Sequence, residues 1–101
     1  MAGFIIVAKV ADVPEGSGKL VEAGGKQIAL FNAGGKFFAI DNTCKHRGGP
    51  LAEGELDGTT IACPWHGWEY DITTGANLDD ANVKLGCYAA KTEGDDILIE
   101  V

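Results

Sequence analysis

Lys19-Leu20-Val21-Glu22-Ala23, Gly24-Gly25, Gln27-Ile28-Ala29-Leu30-Phe31-Asn32, Gly34-Gly35 and Lys36-Phe37-Phe38-Ala39-Ile40-Asp41 follow one another almost without interruption. Three apolar-rich runs of strand length are separated by two Gly-Gly turn dipeptides. That pattern predicts a meander of two hairpins. Working outward, Phe4-Ile5-Ile6-Val7 reads as a buried strand. At the other end, Lys84 to Glu93 runs into Gly94-Asp95-Asp96 and then Ile97-Leu98-Ile99-Glu100-Val101, which predicts a further hairpin. No amphipathic helical period of 10 residues or more is visible, and Asp79-Asp80-Ala81-Asn82 offers a single turn at most. The expected fold is all-β, a small sandwich or barrel of antiparallel strands.

The 101 residues suit one domain with one modest core. The 15 Gly residues, about twice the average share, agree with a chain that reverses often. A formal charge of −7 and the lack of any Lys/Arg cluster argue against nucleic acid and against an anionic membrane surface as partners. An acidic surface suits partners that carry basic patches. The N-terminal apolar run is too short for a signal peptide core and lacks a basic flank, and no window approaches a membrane span. A soluble, cytoplasmic protein is expected. Three Cys exclude a full disulfide framework.

The chemistry is concentrated in the middle. Residues 43 to 76 hold both His, two of the three Cys, both Trp and the only Arg. Within them stand Cys44-Lys45-His46 and Cys63-Pro64-Trp65-His66, with 16 residues between His46 and Cys63. Thiolate and imidazole are the usual ligands of zinc, copper and iron. Residues i and i+2 of an extended segment point to opposite sides, so a C-x-H pair binds one ion only through a sharp turn. Two metals side by side relax that demand. Gly48-Gly49-Pro50 and Gly67 lie next to these pairs and let backbone N–H groups approach an inorganic centre. The spacing suits a binuclear site gripped by two loops. A single zinc on the same four residues stays open, and with it a zinc-stabilised binding module. The excursion divides the single domain, 1–101, into a base scaffold of 1–42 and 77–101 and a cluster-binding subdomain of about 43–76.

Cys44-Lys45-His46-Arg47-Gly48-Gly49-Pro50-Leu51 and Cys63-Pro64-Trp65-His66-Gly67-Trp68-Glu69-Tyr70-Asp71 resemble the Rieske iron–sulfur signature. The resemblance implies one [2Fe–2S] cluster per chain. Cys44 and Cys63 would hold one iron, and His46 and His66 the other. Two ferric ions, two sulfides and two thiolates sum to zero, so reduction leaves one negative charge for nearby N–H groups to stabilise. Arg47, Gly48, Gly49, Trp65 and Gly67 are the candidate donor positions, and the Tyr70 hydroxyl is a candidate partner for a ligand sulfur.

High-potential members of the family carry a second Cys in each loop and a Ser after the glycine. Gly49, Trp65 and Trp68 stand there instead. With the disulfide and the hydroxyl donor missing, a midpoint potential at the low end of the Rieske range, roughly −150 mV, is expected. Apolar packing by Trp68 and Leu51 is expected to replace the disulfide.

By resemblance the His ligands face solvent and form the exit for the electron. Lys45 and Arg47 lie beside it, and Glu53, Glu55 and Asp57 further out. The implied function is a soluble one-electron carrier between a ferredoxin reductase and a terminal oxygenase, docking near His46 and His66. It is not itself an enzyme: no nucleophile or acid–base pair stands outside the motif. A Rieske small subunit of a larger redox enzyme, such as a nitrite reductase, is the alternative. Cys87 has no partner and is expected to be a free, mostly buried thiol. Asp71-Ile72-Thr73-Thr74-Gly75 is expected to turn and close the excursion.

Overall fold

The computed structural model describes residues 3–43, 50–64, 67–78, 80 and 82–100. The expected meander is present. Strands β2 (Gly18–Ala23), β3 (Lys26–Ala33) and β4 (Lys36–Asp41) pair antiparallel in sequence order, and both Gly-Gly pairs form the turns between them.

Strand β3 explains why its apolar run is unbroken. It is buried on both faces. Ile28 and Leu30 point into one core with Val13, Val21, Ala23, Ala39, Ile97 and Ile99. Ala29 and Phe31 point into another with Ile40, Leu51, Ile61, Cys63, Tyr70, Ile72 and Leu85. Period-2 alternation thus feeds two cores at once. The first core lies under strands β1 (Phe4–Lys9), β9 (Ala90–Glu93) and β10 (Asp96–Glu100), which form a sheet in the order β1-β10-β9. The second lies under β5 (Glu55–Asp57), β6 (Thr60–Ala62) and β7 (Glu69–Asp71), in the order β5-β6-β7. A two-residue strand, β8 (Cys87–Tyr88), adds to β4. The helical content among the described residues is two single 3-10 turns, Val10–Asp12 and Leu51–Glu53.

Three expectations need correcting. The Phe4–Val7 run is a strand but not a buried one. It sits at the edge of its sheet with an irregular register between Ile6 and Ala8, and Phe4, Ile5 and Ile6 stay exposed. The arm read from Lys84 to Glu93 is not one strand. Its middle pairs with β4 as β8 and its end pairs with β10 as β9, so the chain changes sheets at Ala89 and only β9–β10 is the hairpin. Cys87 is a free thiol as expected but lies exposed, because β8 turns Tyr88 toward the first core and Cys87 away from it. Its Sγ is 3.5 Å from the Thr73 carbonyl oxygen, and partial burial pushes the thiol pKa up. Of the turn expected at 79–82, residues 79 and 81 lie outside the described residues.

Candidate metal centre

Of the residues nominated from the sequence, Cys63, Gly67 and Tyr70 are described. Cys44, His46, Arg47, Gly48, Gly49, Trp65 and His66, together with Lys45, lie outside the described residues. The structure nevertheless defines the bases of both stretches that carry the motif.

The first base joins β4 to the 3-10 turn at Leu51. Thr43 and Pro50 form an antiparallel bridge across it. The Leu51 N–H donates to the Asn42 carbonyl oxygen at 2.8 Å, and the Ala52 N–H donates to Asn42 Oδ1 at 2.9 Å. Leu51 then drops into the second core. The end of β4 is held from both sides. The Asn42 N–H reaches Gln27 O on β3 at 3.1 Å, and the Asp41 N–H reaches Gly86 O at 2.9 Å. The Asp41 carboxylate accepts from the Gly86 N–H at 2.8 Å and from the Tyr88 hydroxyl at 2.6 Å. Burial of that phenol, reinforced by this bond to a carboxylate, pushes its pKa up to about 12.

The second base extends the β6–β7 hairpin. Ile61 faces Tyr70 and Ala62 faces Glu69, and the Cys63 N–H donates to Trp68 O at 2.7 Å. The Gly67 N–H closes back on Cys63 O at 3.2 Å. Gly67 has φ +72°, a left-handed conformation that costs a side-chain-bearing residue on the order of 1 kcal/mol. This is why the hairpin can reverse so tightly at that point. Cys63 is 2% exposed and packs with Leu51, Tyr70 and Ile61, with Trp68 half-buried against the same cluster. Tyr70 is fully buried beneath the hairpin. The expected packing role of Leu51 and Trp68 is what the core shows.

The two bases touch. Gly54, two residues past Ala52, lies so close to the Ala62 carbonyl that a Cβ there would collide with it. A shallow recess of about 360 Å³ follows from this approach, lined by Glu53, Gly54, Glu55, Ala62, Cys63, Pro64 and Gly67. On the outer face of the small sheet Glu55, Asp57 and Glu69 are exposed, so the neighbourhood of Cys63 is acidic. The turn at Asp71 closes the excursion as expected. The Asp71 carbonyl accepts from the Gly75 N–H at 2.6 Å, and Asp71 Oδ1 accepts from the Thr73 N–H at 2.8 Å. Asn42 and Gly54 were missed from the sequence. A polar residue two positions before Cys44 was the one available signal for the first.

The residues present fit an iron–sulfur centre. A Cys thiol sits at the end of a strand, sheathed from solvent. The stretch that carries Cys44 and His46 is flanked by Ile40 and Leu51 of the same core, one backbone contact away. Residues 3–89 match the Rieske [2Fe-2S] domain, and the chain belongs to that family. It therefore carries a [2Fe–2S] cluster and works as an electron-transfer component rather than as a catalyst. Dioxygenase ferredoxins are among the proteins it is similar to. The 3-phenylpropionate/cinnamic acid dioxygenase ferredoxin subunit of Escherichia coli (strain K12) is 39% identical over 99 residues, covering 96% of this chain and 92% of the relative. The Sphingomonas yanoikuyae B1 ferredoxin superposes with a TM-score of 0.87 at 30% identity, over 98% of this chain and 99% of the other. A ferredoxin solved in complex with the oxygenase of carbazole 1,9a-dioxygenase gives 0.86 at 28% identity, over 95% and 91%.

Proposed function

We propose that Cys44 and Cys63 hold one iron and His46 and His66 the other, in a chain that carries single electrons from a ferredoxin reductase to a terminal oxygenase. The observation that carries this reading is the welding of the two motif-bearing stretches at Gly54 and Ala62, with Cys63 sheathed between them. When bound, the cluster supplies reversible one-electron chemistry at a near-constant geometry. The protein's own part is to fix the donors, to keep water from the thiolate side, and to offer N–H groups from the loops. Arg47, Gly48, Gly49, Trp65 and Gly67 are the positions for those groups, and Tyr70 braces the second loop from below.

Partner docking near His46 and His66 belongs to the same reading. Support comes from the relative solved with its oxygenase and from the relative named as a dioxygenase ferredoxin subunit, which favours a carrier over a nitrite reductase subunit. The acidic surround of Glu53, Glu55, Asp57 and Glu69 would steer a basic partner surface toward the site. The division into a base of 1–42 and 77–101 and a cluster-binding subdomain of about 43–76 belongs to the same reading; the first core draws on the base alone, while in the second Ala29, Phe31, Ile40 and Leu85 of the base pack with residues of the subdomain. Cytoplasmic placement belongs to the same reading. Among the described residues no helix is long and apolar enough to cross a membrane.

Cys63→Ser tests the ligand assignment. The protein is expected to lose its visible absorption and its iron. Retention of the full spectrum would overturn the assignment.

A further inference from the structure

We propose that Asn42 is a positioning residue for the cluster, clasping the first ligand loop in place of a covalent tie. The inference rests on the ligand reading above and goes beyond it, since Asn42 lies outside the motif. Among the described residues it joins the loop's two ends through both its backbone and its side chain. Its carbonyl oxygen receives the Leu51 N–H at 2.8 Å and its Oδ1 receives the Ala52 N–H at 2.9 Å. Its own N–H is spent on Gln27 O at 3.1 Å, which anchors the clasp to the base scaffold rather than to the loop itself.

Asn42 is 4% exposed, so water cannot easily replace its oxygen if the side chain is removed. The same turn delivers Gly54 against Ala62, and so links the clasp to Cys63 one residue further on. Register matters here. A slack base at 42 and 51–52 lets the Cys44–His46 stretch drift relative to Cys63, with no disulfide to restrain it. Ordinary core packing does not account for this geometry, because both acceptors of Asn42 are aimed at consecutive N–H groups of one loop exit.

Asn32 supplies a matched control. It is also buried, at 7% exposed, with Nδ2 donating to Val13 O at 2.9 Å and Oδ1 accepting from the Gly35 N–H at 3.0 Å. It braces the β3–β4 turn and the Val13 segment, and not the ligand loops. Asn32→Ala, which removes two side-chain hydrogen bonds against the one of Asn42→Ala, is therefore expected to destabilise the fold at least as much. Only Asn42→Ala is expected to release iron to a chelator faster, by about two- to tenfold, the range that one net hydrogen bond converts to. Its midpoint potential is expected to fall, because displaced loop N–H groups stabilise the reduced charge less.

If Asn42→Ala does not fold, Asn42→Gln against Asn32→Gln carries the same contrast, since the longer side chain misplaces the oxygen. Equal iron release from the two sites, or an Asn42 variant with unchanged release and potential, overturns the inference alone. A wild-type protein that binds no iron would overturn the proposed function and this inference with it.

Discussion

The β2-β3-β4 meander and the β5–β7 excursion are built on different principles. The meander is held by many interchangeable contacts. Each residue of β3 from Ile28 to Phe31 is fully buried, and the two faces serve two cores. The excursion has strands of three residues and hangs on a few specific ones: Asn42 across one base, the Cys63–Trp68 bond across the other, and Gly54 between them. The base can lose a methyl group and remain a β scaffold. The excursion has shorter strands, and its specific contacts lie beside the proposed metal donors. Stability and function are thus separable, and substitutions can pull them apart.

The largest expected effect falls on the base. Leu30→Ala opens a cavity in the first core and is expected to cost about 2–5 kcal/mol, read as a lowered denaturation midpoint. The holoprotein that remains folded should keep an unaltered visible spectrum. A spectral change at low denaturant would show that the two regions are not separable.

Gly54→Ala should do the reverse. The new Cβ collides with the Ala62 carbonyl, so two backbones must part, at a cost of about 1–3 kcal/mol. Far-UV circular dichroism is expected to stay β-like while iron content drops. Full iron content in the variant would deny that this contact positions the loops.

A smaller effect is expected at alkaline pH. Tyr88 titrates near 12 when folded, against an ordinary value of 10. The proton is therefore held more tightly by the folded state. The stabilisation is complete below pH 10 and is lost as pH rises from 10 toward 12. Tyr88→Phe should flatten that part of the stability curve, as followed by denaturation at stepped pH. The bond to Asp41 ties β8 to the end of β4, so the loss is expected to reach the first ligand loop. The smallest change in structure accompanies His66→Cys: a cluster is expected to persist, with its midpoint moved from roughly −150 mV toward the roughly −400 mV of all-cysteine centres.

Much of this contrast was legible in the residues. Gly24-Gly25 and Gly34-Gly35 mark the meander because two-residue turns leave few alternatives, and Lys36–Asp41 falls on a strand end to end. The four proposed donors could be nominated because both His and two of the three Cys crowd into one third of the chain. What composition and period do not carry is tertiary context. Phe4, Ile5 and Ile6 are as apolar as any core strand, yet an edge position with an irregular register leaves them outside. Cys87 faces solvent because β8 is two residues long and Tyr88 takes the inward side. Asn42 and Gly54 looked like ordinary loop residues. Their roles come from meeting Ala52 and Ala62, contacts that no local pattern announces.

The central claim is that two imidazoles and two thiolates together seat a pair of irons. Electron–nuclear double resonance on the dithionite-reduced protein reads this directly. Two strongly coupled nitrogens from His46 and His66 are expected, and one is expected to vanish in His66→Cys. A reduced protein without strongly coupled nitrogen, or one that binds zinc and shows no paramagnetic signal, would contradict the account.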